Sequence, residues 1–375
     1  MNLPRQHYDA VIIGAGMAGA SLGAELAAHM SVLLVEMEAQ PGYHATGRSV
    51  AFWSESYGGP LVRPLTNASL SMLATPAPDF AEEGFLAARG ALHIGRAGDE
   101  AACAALIDDF AGDALFAPVD AAELQRRISG LRPQWIFGLE EPGTRDIDVA
   151  ALHAAYLRAF ARRGGHLSGG TRFEGAARTA AGEWRVRLAN EEVVASRLIN
   201  AAGAWADDVA RSSGIAPLGI TPLLRTVVQL RVDPPAPENL PLVLDLAGGF
   251  YFKPVGGGRI WLTPHDEQPM TASDVAADEM DVAVAIERLR EVVDWRIEAV
   301  ERKWAGLRSF APDRLPVYGF DPDEPGFFWF AGQGGFGIQT APAAALLAKA
   351  LILEEEMEAA LADIDPATYA PTRLR

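Results

Sequence analysis

The chain has 375 residues, 49% of them hydrophobic, a formal net charge of −17 and a single cysteine, Cys103. The length suits two domains rather than one, and the acidity argues against nucleic acid or an anionic membrane surface as partner. One cysteine excludes an internal disulfide framework and a cysteine-rich metal site.

Residues 1–8 are polar, and no run reaches the roughly 18–20 continuous apolar residues that span a bilayer. We therefore expect no secretory signal, no integral membrane segment and a cytoplasmic location. Residues 8–13 then read as a strand, 14–19 as a glycine turn, 20–29 as an alanine-rich helix and 31–36 (SVLLVE) as an apolar strand ending in an acid. Unbroken apolar strands around a helix point to a parallel sheet covered on both faces. Residues 68–123 mix short helices and loops. Residues 146–165 form a helix, with Asp148 as N-cap and Gly164–Gly165 as its stop. Residues 184–188 and 193–199 alternate as a hairpin and a returning strand. Residues 226–232, 241–246, 250–255 and 259–263, separated by Pro- and Gly-rich turns, predict an antiparallel sheet. Residues 327–331 (FFWFA) form a buried strand leading through a glycine-rich turn into a long alanine/leucine helix. The expected fold is α/β. A discontinuous Rossmann-like nucleotide domain (1–75, 146–215, 305–375) is interleaved with an α+β substrate domain on a mostly antiparallel sheet (76–145, 216–304).

Gly14-Ala15-Gly16-Met17-Ala18-Gly19 is a GxGxxG run between strand and helix, and Glu36 closes the next strand. Gly14 permits the tight turn, Gly16 lets backbone approach a pyrophosphate, and Gly19 lets the helix pack close to the sheet. The helix N-terminus offers donors and a positive dipole end to phosphates, and Glu36 suits a ribose diol. The pattern alone does not choose between NAD and FAD.

Further stretches do choose: residues 40–57 (QPGYHATGRSVAFWSESY), 198–207 (LINAAGAWAD), 331–339 (AGQGGFGIQ), 250–254 (FYFKP) and 304–310 (WAGLRSF). With the glycine run they resemble the D-amino-acid oxidase-like superfamily of FAD-dependent oxidoreductases, in the glycine/sarcosine oxidase group. Within it, the chain looks most like bacterial D-arginine and D-amino-acid dehydrogenases. The resemblance implies that Gly14, Gly16, Ala18, Gly19, Glu36 and Met37 hold the ADP half of FAD, with Phe173 at the adenine. Ala45, Thr46, Gly47, Arg48, Ser49, Val50, Ala51 and Phe52 would follow the pyrophosphate and one edge of the flavin. Gly334, Gly335, Phe336, Gly337, Ile338 and Gln339 would wrap its other edge, and Ala202 and Gly203 would also contact cofactor. Relatives that tether flavin use a cysteine near the position of Arg308, so FAD is expected to be non-covalent here.

On the substrate side, Arg308 is the candidate for gripping a carboxylate, because a guanidinium binds one in bidentate fashion. Trp304, Leu307 and Phe310 around it predict burial, and a buried arginine needs an anion. The resemblance makes Tyr57 and Tyr251 its partners over the substrate, although a tyrosine on a strand is on its own more often core packing. Arg225 is a second carboxylate candidate, or a solvated strand residue. Gly335, Gln339, Leu244 and Ala91 complete the expected substrate contacts. Residues 86–95 hold no acid, Ala91 falling where one would be sought, and 242–244 are apolar. His44, His93, His153 and His265 lack ligand spacing, so no metal is expected.

The reaction so implied is oxidative deamination of a D-amino acid with a neutral or apolar side chain, with hydride passing from Cα to flavin N5 and release of a 2-oxo acid and ammonia. Close relatives carry a histidine where this chain has Phe52 and Trp53, so a tyrosine, a water or binding of the neutral amine must replace that proton acceptor. Residues 259–263 lack the lysine of sarcosine-type oxidases, which favours a dehydrogenase. Lys253 argues the other way, because it shares the face of its strand with Tyr251 if the pleat is regular, although its place one residue before Pro254 suggests a strand end instead. The partners expected are an amino-acid substrate and an electron acceptor left open, with a quinone or the respiratory chain among the choices. The alternatives are a glycine/sarcosine-type amine oxidase, a 2-hydroxy-acid dehydrogenase and a non-autonomous electron-transfer subunit.

Overall fold

Two eight-stranded sheets and one three-stranded sheet carry the chain in the computed structural model, which describes residues 3–111, 114–189 and 191–375. The first part runs β1 (His7–Ile13), α1 (Met17–Leu26), β2 (Val32–Val35), β3 (Phe52–Trp53), α2 (Arg63–Ala74), β4 (Leu86–Ala88), β5 (Ala91–Arg96), α3 (Glu100–Asp109), β6 (Ala117–Asp120) and α4 (Ala121–Arg127). The middle adds β7 (Trp135–Glu141), β8 (Arg145–Ile147), α5 (Val149–Arg162), β9 (His166–Ser168), β10 (Phe173–Arg178), β11 (Trp184–Leu188), β12 (Glu192–Asn200) and α6 (Ala206–Ser212). The last part holds β13 (Thr221–Asp233), β14 (Leu242–Asp245), β15 (Tyr251–Pro254), β16 (Arg259–Thr263), α7 (Glu279–Val292), β17 (Arg296–Phe310), β18 (Val317–Phe320), β19 (Phe327–Ala331) and α8 (Ala341–Leu353).

The first sheet has the order β10-β11-β12-β1-β2-β9, with β19 beside β12 and β18 beside β19. β9, β2, β1, β12 and β19 pair in parallel. Among them β2 and β19 are apolar and buried throughout because both faces are covered. Ile12, Leu34 and Phe328 pack with α1, α5 and α8, while Val11, Leu33, Leu198 and Phe327 pack with α6 and the β10–β11 hairpin. Helix α1 is built from small residues for the same reason. A Cβ at Gly19 would lie 1.8 Å from the Gly14 carbonyl oxygen, so only glycine lets the helix rest on its own turn. That helix starts at Met17, not at 20, because the second half of the glycine run already forms its first turn. Asp148 caps α5 as expected, its Oδ1 accepting from Ala151 N at 2.8 Å; residues 146–147 belong to β8 instead of the helix.

The second sheet has the order β17-β13-β16-β15-β14-β5-β7-β6 and is antiparallel except where β5 meets β14. Alternation decides its two faces. Phe252, Leu262, Val243 and Leu92 pack against Leu289 and Val292 of α7, while Tyr251, Leu242, Ala91 and Val227 face Val50 and Phe52. Four members were not expected as strands: β5, β6, β7 and β17. Five of the six residues of β5 are buried, so no alternation marks it, and 68–123 is not the helix-and-loop region the sequence implied. The sequence boundary at 304/305 falls inside β17, which stays in this sheet to Phe310.

Candidate active site

A cleft of about 700 Å³ is lined by residues of both large sheets and the segments around them. At one end lies the glycine turn. Gly14 has φ +100°, and a Cβ there would lie 2.5 Å from the Ala201 carbonyl oxygen. No side chain of its own turn caps α1; Met17 N donates to Thr46 Oγ1 at 2.9 Å, a cap reaching in from 29 residues away. Glu36 directly follows β2, its carboxylate accepting from Ala15 N (2.8 Å) and Glu38 N (3.0 Å), which ties the turn to the neighbouring strand. Of the expected cofactor residues, Gly14, Gly16, Ala18, Glu36, Met37, Ala45, Thr46, Arg48, Ser49, Val50, Phe173, Ala202, Gly203, Gly334, Gly335, Gly337 and Ile338 all line this one cleft.

The others stand behind it. Gly19 packs on Gly14, and Gly47 N closes a turn onto Gly42 O at 2.7 Å. Ala51 O accepts from Lys253 Nζ at 3.3 Å. Phe52 packs between the rings of Tyr57 and Tyr251, and Phe336 packs between Tyr57 and Phe310. Gln339 is not turned to the cleft. It accepts from Ser54 N (3.1 Å) and donates to Tyr57 O (3.0 Å) and Thr66 Oγ1 (2.9 Å), so its amide is occupied by protein. Ala91 and Leu244 belong to the apolar cluster behind Tyr251. Arg48 lines the cleft, but its guanidinium holds a strap without regular structure, donating to Val275 O (2.9 Å), Ala305 O (3.1 Å) and Asp274 Oδ1 (2.5 Å). That strap brings Ala272, Ser273 and Val275 to the cleft. Nothing local in residues 264–278 marks such a role, and the sequence reading missed it.

Arg308 and Arg225 stand on the same face of adjacent strands, since Arg308 pairs with Leu223 and Arg225 with Gly306. Arg308 donates from Nη1 to the Tyr57 hydroxyl at 2.7 Å and from Nη2 to the Tyr251 hydroxyl at 3.1 Å. A Cβ on Gly335 would lie 2.5 Å from the Tyr57 hydroxyl and 2.8 Å from Arg308 Nη1, so glycine is what lets the turn cross this pair. Burial disfavours the Arg308 charge, but Tyr57 and Tyr251 outweigh it and raise its pKa above the ordinary value. Among the described residues, no carboxylate pairs with Arg308. Arg225 is buried, not solvated, at 3% exposure. It donates to Asp266 O (2.9 Å) and Glu267 Oε1 (3.2 Å), and its Nη1 has no partner among the described residues. Burial, and then the Arg308 charge, lower its pKa.

Two further groups surround Tyr251. His265 adopts φ +56°, a left-handed conformation unusual for a non-glycine residue. Its Nδ1 lies 2.7 Å from Gly248 O, and its ring stands edge-on to Tyr251. Burial, then Arg225, pushes its pKa down to about 4, so the imidazole is neutral at pH 7. Lys253 lies within β15, not at a strand end, and pairs with Trp261 across to β16. It is buried with Nζ 2.7 Å from Asp146 Oδ1, and it does not line the cleft. Burial lowers its pKa. Among the described residues, no group of three or more His, Cys, Asp or Glu could hold a metal ion, and no helix is long and apolar enough to cross a membrane.

A glycine turn at a helix N-terminus shares one cleft with Arg308 and Tyr251, with the Tyr57 hydroxyl bonded to Arg308, and this arrangement defines the class: a dinucleotide-cofactor oxidoreductase. The family model described as FAD dependent oxidoreductase (DAO) matches residues 9–351, and the chain belongs to that family. Its cofactor is FAD, and the glycine cradle fits it. The chain is 28% identical over 258 residues to hydrogen cyanide synthase subunit HcnC of Pseudomonas aeruginosa, covering 68% of this chain and 60% of that protein. It is 30% identical over 188 residues to glycine oxidase of Pseudomonas putida, covering 50% and 48%. The matches thus span about half to three-fifths of these relatives' lengths. Among solved structures, glycine oxidase from Geobacillus kaustophilus superposes with a TM-score of 0.85 at 22% identity, covering 98% of this chain and 99% of that one. L-proline dehydrogenase from P. horikoshii does so with 0.84 at 19% identity, covering 99% and 98%.

Proposed function

We propose that the chain oxidises a small carboxylate-bearing amine at the carbon next to nitrogen, as a glycine oxidase does. The observation that carries this is Arg308: a cation in the cofactor cleft, bonded to two tyrosines and to no carboxylate among the described residues. Because Tyr57 and Tyr251 accept from Arg308, each hydroxyl keeps its own proton for a substrate carboxylate. Arg308 supplies the charge and the tyrosines fix the orientation. FAD, when bound, would take up the hydride, which carries both electrons. The imine left behind is hydrolysed by water to a carbonyl compound and an amine: a 2-oxo acid and ammonia for a primary amine, and a 2-oxo acid with a primary amine, or an aldehyde with the free amino acid, for an N-substituted one.

The glycine oxidases among the relatives support this over our first expectation of a D-amino acid. One observation keeps a D-amino acid with an apolar side chain as the second reading. Val50 and Val227 line the cleft beside Tyr251, and the acids among the described lining residues, Glu36 and Asp208, lie on neither β13, β15 nor β17. A basic side chain would have no partner there. The acceptor we propose is not oxygen, since Lys253 is bound to Asp146 and Arg259 to Glu301.

The test is turnover with a dye acceptor on glycine, sarcosine, D-alanine, D-leucine, D-methionine, D-phenylalanine, D-arginine and the matching 2-hydroxy acids. Glycine or sarcosine as best substrate supports the first reading, and D-leucine, D-methionine or D-phenylalanine supports the second. Turnover of 2-hydroxy acids alone contradicts both, as does an inert isolated protein, the behaviour of an electron-transfer subunit.

A further inference from the structure

Tyr57 lies in the loop between β3 and α2, with no ladder or helix to hold it. Its hydroxyl must nevertheless sit on Arg308 to complete the carboxylate grip. Glu55 is tied to Arg63 and Asn67 of α2, and the Tyr57 ring packs on Phe52 and Phe336; the backbone and hydroxyls around them are held from two more directions. On one side Gln339 accepts from Ser54 N and donates to Tyr57 O. On the other stands Glu141, the last residue of β7, directly opposite Ala91 in the second sheet.

Glu141 is fully buried. Its carboxylate accepts from Ser54 Oγ (2.9 Å), Ser56 Oγ (2.7 Å) and Ser56 N (3.4 Å), and lies 3.2 Å from His93 Nε2. Burial pushes its pKa up, but His93 and the two serine hydroxyls outweigh burial and hold it below the ordinary carboxylate range. A buried carboxylate with its hydrogen bonds met adds little stability over an apolar residue of the same shape. Both ends of the tripeptide before Tyr57 are fastened to this one group.

We propose that Glu141 is a positioning residue for substrate binding: through Ser54 and Ser56 it sets the Tyr57 hydroxyl on Arg308. The proposal rests on the reading of Arg308 and Tyr57 as the carboxylate grip. It also accounts for an acid so close to the cleft that offers no partner to a basic substrate, since its lone pairs are already occupied.

The experiment is a double-mutant cycle on the FAD-loaded enzyme, with acetate as probe and binding read from the visible spectrum of the flavin. Glu141→Gln should weaken acetate roughly tenfold, the effect of losing a hydrogen bond or two. In a Tyr57→Phe background the same change should weaken it by less than about twofold, because the group it positions is gone. Thermal unfolding should lose the same amount in both backgrounds. Ser54→Ala/Ser56→Ala, which keeps the carboxylate, should reproduce the pattern and decides the matter where Glu141→Gln fails to hold flavin. Equal weakening in both backgrounds, or none in either, overturns the role. Wild-type protein that binds FAD but shows no response to acetate overturns the grip itself, and this role with it.

Discussion

Arg308 concentrates the chemistry at the scale of single residues. Replacing it with methionine removes a charge that lines the cleft and has no carboxylate beside it among the described residues. Losing one partner of a desolvated charged pair costs about 3–5 kcal/mol. Arg308→Met should therefore raise KM by more than about a hundredfold while FAD content stays normal. Near-normal KM in that variant would move the grip to Arg225, whose Nη1 is unpaired among the described residues. Lys253 gives the opposite expectation. Its ammonium is held by Asp146, which also accepts from Arg89, so Lys253→Met should leave reoxidation of the reduced flavin by air as slow as in the wild type. Fast reoxidation with stoichiometric peroxide in the wild type, lost in the variant, would make Lys253 the oxygen site. His265 sets a pH dependence. Its ordinary value is 6.5 and its folded value about 4, so the unfolded chain takes up this proton first. The stability it contributes is complete above about pH 6.5 and declines as pH falls toward 4, by on the order of 3 kcal/mol. His265→Asn, with a residue that tolerates left-handed backbone, should shrink the fall in melting temperature between about pH 7 and pH 5; an unchanged fall would place the titrating group elsewhere.

Elements were legible where their cause is local. The GxGxxG turn, Asp148 at the start of α5 and the apolar strands 32–35 and 327–331 are set by neighbours within a few residues, and all could be read. Asp148→Ala should cost about 1 kcal/mol of stability, measured by denaturant unfolding; no change would mean the cap is redundant. Features set by distant partners could not be read. β5 hides its alternation because both its faces are covered, and Thr46 caps a helix 29 residues away. Gln339 sits in a flavin-edge motif yet bonds only to the protein, and Glu141 acts through serines 85 and 87 residues before it. The resemblance named the tyrosines and Arg308. The neutral His265, the strap at 272–275 and the buried state of Arg225 needed the packed sheet.

At the scale of the molecule, the two sheets divide the labour. The parallel one brings the glycine turn and helix end to the cleft, and the antiparallel one brings two arginines and Tyr251 to the same cleft, where we propose that they meet the substrate. The chain crosses between them several times, so neither half of the cleft is made by one continuous stretch. The single cysteine, Cys103, is on α3 and does not line the cleft. Acid precipitation should therefore release the flavin into the supernatant, and flavin left in the pellet would contradict non-covalent binding.

The central claim is that Arg308 presents a carboxylate-bearing amine to the flavin. Anaerobic mixing of the FAD-loaded enzyme with excess glycine, sarcosine or D-leucine, followed by flavin absorbance, tests it most directly. We predict that at least one bleaches the flavin in the wild type and that Arg308→Met needs more than about a hundredfold more substrate for the same rate. A flavin that stays oxidised with every amine, or an Arg308→Met variant bleached as readily as the wild type, would contradict the account.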